Sequence, residues 1–165
     1  MDNKYTISIA FAIFGMGCRM LVFMMGWDLS VSTQLYFLFL LLAIFFAVKE
    51  FFKGNPESKF GVLFKQGAQV GALFSLFVSI YTYIFYWLID TSFFDDKKNE
   101  RLSQIDTSAF TEQKMTSFHS NLDMVFNPGT QAMVTLMGFM MLGLTYAVIV
   151  GAILSKIPFF ARNFK

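Results

Sequence analysis

Four apolar stretches, each long enough to cross a bilayer, take up most of this chain, and they restrict what it can fold into more than any other feature. They cover about residues 5–27, 33–52, 66–89 and 130–154. A hydrocarbon core of about 30 Å needs about 20 helical residues, which each stretch supplies. The expected fold is all-α: a polytopic membrane protein built as an antiparallel four-transmembrane-helix bundle. The whole chain, 1–165, is read as a single transmembrane domain, since four spans and one long loop leave no room for a second globular one. Its 56% hydrophobic content and 23 Phe agree, lying far above soluble averages.

The net charge of +2 says little, but its distribution orients the chain. Lys and Arg collect in loops on the cytoplasmic side of a membrane. Lys4 precedes the first span, Lys49, Lys53, Lys59 and Lys65 surround the second connection, and Lys156, Arg162 and Lys165 follow the fourth span. The first turn, residues 28–32, has no basic residue. The long third loop sets Lys97, Lys98, Arg101 and Lys114 against Asp90, Asp95, Asp96, Glu100, Asp106, Glu112 and Asp123. Both termini and the basic loop are therefore expected in the cytoplasm, and the acidic loop outside. Trp27 and the Tyr83, Tyr86, Trp87 group fall at the outer span ends, the depth that amphipathic rings prefer.

No cleavable signal peptide is expected, because the first residues carry little charge and no small-x-small site follows a short apolar core. Cys18 is the single cysteine, so an internal disulfide is impossible and a packing role is the simplest reading. The short first connection forces an antiparallel hairpin. Gly54-Asn55-Pro56 marks a second turn, and Asn127-Pro128-Gly129 ends the long loop and launches the fourth span. Within that loop, about residues 90–129, Leu102, Ile105, Met115, Phe118, Leu122, Val125 and Phe126 recur mostly at three- and four-residue steps. This pattern predicts one or two amphipathic helices on the outer surface.

Small residues repeat every fourth position in two spans: Gly67, Gly71 and Ser75 in the third, Gly143, Ala147, Gly151 and Ser155 in the fourth. Such faces allow backbones to approach closely where lipid removes the hydrophobic driving force. Packing within one bundle is preferred over a dimerisation surface, although two separate faces leave room for both.

Arg19 is the one charge well inside a span, roughly 21 Å along the helix from its start. An arginine there costs about 2.5–3.5 kcal/mol on insertion scales, so it needs partners or a route to water. One reading is an anion or lipid-headgroup site formed by Arg19 with Tyr83, Tyr86, Gln131 and Thr135. The plainer and preferred one is that Arg19 reaches Asp90 or Asp28 and ties the helices together. Gln66 and Gln69, a turn inside the third span, are expected to cross-bond helices rather than line a vestibule.

Other candidates are weaker. Asp95, Asp96 and Glu100 are interleaved with Lys97, Lys98 and Arg101, which would neutralise a cation site. His119 is the lone histidine, so a His-paired metal site is unavailable, and its place on an amphipathic helix suggests a surface role. Gly15-Met16-Gly17 lacks the strand and third glycine of a dinucleotide fingerprint. No catalytic residue, cofactor or metal is assigned, no nucleic-acid partner is expected, and the chain reads as a non-enzyme.

The apolar-to-charged run Ala43-Ile44-Phe45-Phe46-Ala47-Val48-Lys49-Glu50 leads to Phe64-Lys65-Gln66-Gly67, which opens the third span. Ile80-Tyr81-Thr82-Tyr83-Ile84-Phe85-Tyr86 closes it, and a Gly-rich last span ends in a short Lys-bearing tail. This order of features, over nearly the full chain, resembles a bacterial family of small inner-membrane proteins catalogued as domain of unknown function 4199. The resemblance implies fold and inner-membrane location, brings no activity, and offers no match for Arg19. The expected function is a non-enzymatic subunit or scaffold of a bacterial inner-membrane assembly, with membrane lipids and either a membrane-protein partner or further copies of the chain around it. The alternative is a small carrier or lipid-binding protein that holds an anionic headgroup at Arg19.

Overall fold

Each apolar stretch forms one long helix in a computed structural model, which describes residues 3–105 and 110–156. The long helices are α1 (Asn3–Met24), α2 (Leu29–Gly54), α3 (Phe60–Ile84) and α6 (Pro128–Lys156), and all four are long and apolar enough to cross a membrane. A π-helical turn, Phe85–Ile89, extends α3, and two shorter helices follow: α4 (Phe93–Ser103) and α5 (Glu112–Val125). The described residues contain no strand. Asp106, Arg162 and Lys165, used above to orient the chain, lie outside the described residues.

The boundaries move for local reasons. Residues 28–32 are not the first turn: Leu29 to Ser32 already belong to α2. The chain reverses just before them. Trp27 donates its N–H to the Val22 carbonyl and Gly26 to that of Phe23, the paired bonds that close a helix on a left-handed residue. That residue is Gly26, at φ 67°. Here a side chain would be strained. Asp28 then caps α2, its carboxylate accepting from the Ser30 N–H at 2.8 Å. The third span starts at Phe60 rather than near residue 66, because Lys65 remains in the helix with its side chain exposed. A long aliphatic stem can carry its charge out of an apolar zone in this way.

The described helices divide into two compact units, one made of residues up to Val78 and from Leu136 onward, the other of Ser79–Thr135. In the first unit α2 is the most enclosed helix, with Tyr36, Phe39, Leu40, Ala43, Ile44, Ala47, Val48 and Phe52 buried at three- and four-residue steps. It runs antiparallel to α1. A Cβ on Gly15 would come within 2.7 Å of the Tyr36 ring, and Phe14 meets Phe39 edge-on at 5.1 Å. Tyr36 also turns its ring edge toward Phe74 of α3 and Phe139 of α6, at 6.5 and 5.9 Å.

The two small-residue faces meet each other. A Cβ on Gly67 would lie 2.9 Å from the Ala147 Cβ, and one on Gly71 would lie 3.2 Å from the Gly143 Cα. These pairs step in opposite directions along the chain, so α3 and α6 run antiparallel here. Ile44 of α2 reaches into the same seam, 3.2 Å from the Gly67 position. Gly151 faces the Phe64 amide and the Phe60 ring, while Ser155 is exposed. Ser75 is buried and returns its hydroxyl to the Gly71 carbonyl. Close backbone approach maximises dispersion contact in a medium that gives apolar surfaces no other reason to associate.

The second unit has its own supports. Tyr86 is not an interfacial ring: it is buried, with centroids 4.7 and 4.9 Å from Phe93 and Phe94, because the chain turns back on it immediately after the π-helical turn. Tyr83 and Trp87 remain exposed beside each other. On α5, Met115, Phe118 and Leu122 form the inward stripe, which Phe126 continues at the helix end, and Val125 lies off it at 57% exposure. Lys98 of α4 pairs with Asp123 of α5 at 2.8 Å. Asn127 joins α5 to α6: its amide donates to the Asp123 and Met124 carbonyls, and its oxygen accepts from the Thr130 N–H. Pro128 follows as the first residue of α6, where a missing N–H costs nothing. Ser79 ties α3 to the start of α6 by donating to the Ala132 carbonyl at 2.7 Å.

Two outcomes follow from these contacts. Gly71→Val should destabilise the protein by about 1–3 kcal/mol, since backbone rather than a flexible side chain opposes the new atoms. Gly138→Ala, with open space around it, should be neutral or stabilising by up to about 1 kcal/mol. Unfolding in detergent measures both. The α4–α5 contact should also depend on pH. The hydrogen bond from Lys98 holds the Asp123 carboxyl below its ordinary 3.8, and the bond to Asp123 holds Lys98 above its ordinary 10.5. The carboxylate's contribution is complete above pH 3.8 and lost as pH falls through its lowered value. That of the ammonium is complete below pH 10.5 and lost as pH rises through its raised value. Spin-label distances between α4 and α5 should therefore stay constant between those limits and lengthen beyond either.

Candidate functional site

Polar residues inside a membrane span are the natural place to look for function, and in α1 the buried ones share one face. Lys4, Ser8, Ala12, Gly15 and Arg19 follow at steps of three and four, and all but the half-buried Lys4 are buried. The face is small or polar throughout, and each polar member has a partner on another helix. Lys4 donates its ammonium to Gln66 Oε1 at 2.7 Å and Gln69 Oε1 at 3.0 Å. Ser8 donates to the Val70 carbonyl at 2.9 Å. Arg19 donates from Nη1 to the Ser32 hydroxyl at 3.3 Å. The bonds to α3 advance in the same direction on both helices, so α1 and α3 run parallel.

Arg19 is 6% exposed and Ser32 is 1% exposed. The Ser32 hydroxyl in turn donates a hydrogen bond to the Leu29 carbonyl at 2.6 Å, so guanidinium, hydroxyl and carbonyl form a short chain of bonds between α1 and the first turn of α2. Asp28, one of the acids that the sequence offers to Arg19, accepts the Ser30 N–H through Oδ1 and so caps α2. Arg19 belongs to the first compact unit, and Tyr83, Tyr86, Gln131 and Thr135 to the second. Within their own unit Tyr83 is exposed, Tyr86 is buried among aromatic rings, and Gln131 and Thr135 are half-buried. Gln131 spends its backbone N–H on the Asn127 carbonyl.

Gln66 and Gln69 do cross-link helices, and their partner is a residue that served only to orient the chain in the sequence. Lys4 lies one turn before Ser8 and shares its face, and that four-residue step was the available signal. The ammonium also sits 4.8 Å from the Tyr5 ring centre. Beside it opens a cavity of about 360 Å³, lined by Asn3 and Lys4 of α1, Ala47, Glu50 and Phe51 of α2, and Gln66 of α3. Glu50 pairs loosely with Lys53 at 3.6 Å and is half exposed.

The remaining candidates resolve simply. Lys97 bonds Glu100 at 2.7 Å, and Lys98 approaches Asp95 at 3.6 Å besides holding Asp123. Among the described residues no group of three or more His, Cys, Asp and Glu side chains could hold a metal ion. His119 is exposed, its ring edge-on to Phe118 at 6.5 Å. Cys18 is a free thiol packed against the core of the first unit.

Four apolar spans, a polar face bonded across helices, and a pair of helices in the loop before the last span define a multi-pass α-helical membrane protein. The chain belongs to the DUF4199 family, described as a protein of unknown function, whose model matches residues 6–157. No curated protein and no solved structure matches it.

Ser32→Ala tests the Arg19 contact. It removes the hydroxyl that receives the guanidinium and should cost about 1–3 kcal/mol, the scale of one hydrogen bond to a charged group. Detergent unfolding of the variant beside a Ser120→Ala control, whose side chain is exposed, reads the difference.

Proposed function

We propose that this chain is a non-enzymatic subunit or scaffold of a bacterial inner-membrane assembly, with both termini in the cytoplasm and the α4–α5 segment outside. The observation that carries the reading is the α4–α5 pair itself. Its two helices are joined by the Lys98–Asp123 ion pair, and each buries an apolar residue, Phe94 on α4 and Leu122 on α5. Asp96, Lys97, Glu100 and Arg101 remain exposed on α4. A pre-ordered, mixed-charge surface loses little entropy on docking and selects partners by charge pattern. The orientation rests on Lys49, Lys53, Lys59 and Lys65, in and on either side of the turn between α2 and α3, and on the acidity of the α4–α5 segment.

The small-residue faces do not support association between chains, because Gly67, Gly71, Gly143 and Ala147 are spent on one another. A partner is therefore better sought outside the membrane than along these helices. The second reading, a carrier or lipid-binding protein with an anionic headgroup at Arg19, has weaker support. The guanidinium is buried and already bonds Ser32.

Tagging the chain, extracting it gently and weighing the intact complex by native mass spectrometry separates the two. The subunit reading expects a stoichiometric second protein, lost in an Asp96→Lys, Arg101→Glu double variant that keeps its own thermal stability. A lone chain, or a partner indifferent to that double substitution, would overturn it. A lone chain that loses a bound anionic lipid on Arg19→Ala would install the second reading instead.

A further inference from the structure

The cavity beside Lys4 combines features that no role in helix packing requires. Its polar walls carry opposite charges on different helices: the Lys4 ammonium on α1 and the Glu50 carboxylate on α2. Its other walls are apolar, with Ala47 fully buried and Phe51 half-buried. Gln66 and Asn3 add amides, which both donate and accept hydrogen bonds. The volume, about 360 Å³, falls within the range of small-ligand sites. Its depth is that of lipid headgroups, since Asn3 and Lys4 open α1 and Glu50 stands one turn before the end of α2 at Gly54.

From this arrangement we infer that the cavity binds the headgroup of a phospholipid that joins a phosphodiester to a primary ammonium, as in phosphatidylethanolamine. The phosphodiester oxygens accept from Lys4 and from the Gln66 amide nitrogen. Gln69 remains to hold Lys4 in place, at 3.0 Å. The ligand's ammonium donates to Glu50, whose pair with Lys53 is loose at 3.6 Å. Phe51, half-buried at the wall, takes the glycerol end. An anionic headgroup such as phosphatidylglycerol would set uncompensated negative charge against Glu50. The quaternary nitrogen of phosphatidylcholine has no N–H to give that carboxylate. The site thus selects a zwitterion with a donating nitrogen. It is independent of the subunit reading, which concerns α4 and α5.

The test is retention of lipid by the full chain in native mass spectrometry after delivery in nanodiscs. Phosphatidylethanolamine, phosphatidylcholine and phosphatidylglycerol with identical acyl chains are offered in equal amounts. The wild-type chain should retain phosphatidylethanolamine roughly tenfold over either competitor, the scale of one charge-assisted hydrogen bond. Glu50→Gln should abolish that preference, and Lys4→Met should lower retention of all three. Lys4 also bonds α1 to α3, so loss of folding in Lys4→Met is checked by thermal unfolding. Glu50→Gln is half exposed and leaves those bonds intact, so it tests the site even where Lys4→Met unfolds. Equal retention of the three lipids by the wild type, or an unchanged preference in Glu50→Gln, would overturn the inference. So would displacement of the lipid by soluble phosphoethanolamine at similar concentration, which would assign the cavity to a soluble zwitterion.

Discussion

The contact on which the first unit depends is the seam between α3 and α6, where glycine lies against glycine and alanine. Lipid chains solvate Leu and Phe as well as another helix does, so apolar surface alone gives these helices no reason to pair. What remains is contact density, and that requires backbones to approach closely. Gly67 against Ala147 and Gly71 against Gly143 permit the approach, and Ile44 fills the groove they leave. Once the seam is made, α2 is enclosed between its neighbours, and Tyr36 can meet rings from two of them at once.

Polar bonds then set which helix lies beside which, and in what register. Lys4, Ser8 and Arg19 occupy one stripe of α1 and reach Gln66, Gln69, Val70 and Ser32. A slip of α1 by one turn would break these bonds together, a costly loss where water cannot replace the partner. Small residues supply proximity and polar residues supply address. The same stripe borders the cavity, so one lysine both joins two helices and presents a charge to whatever enters.

Much of the fold was legible in advance. Span number, the hairpin between α1 and α2, and the helices of the third loop all follow from hydropathy, loop length and periodicity, because bilayer thickness imposes a length that soluble folding does not. The reach of each helix was less legible. Tyr86 carried the signature of an interfacial ring yet is buried, since a π-helical turn and the reversal after it place Phe93 and Phe94 over it. Val125 obeyed the three-residue step of the α5 stripe, but the face advances from Leu122 to Phe126 and leaves it outside.

For the site, composition pointed to Arg19 and passed over Lys4. A charge in the middle of an apolar run is conspicuous in a sequence, whereas a lysine at the start of a helix looks like any interfacial anchor. The sequence by itself determined that this chain is helical, crosses a membrane several times and carries polar groups within its spans, because the solvent enforces length and polarity residue by residue. Only the tertiary structure decided that the two glycine faces satisfy each other, that Arg19 answers to Ser32, and that Lys4 and Glu50 line one cavity. Those are relations between helices distant in the chain, and no local pattern encodes which face a helix will turn toward which neighbour.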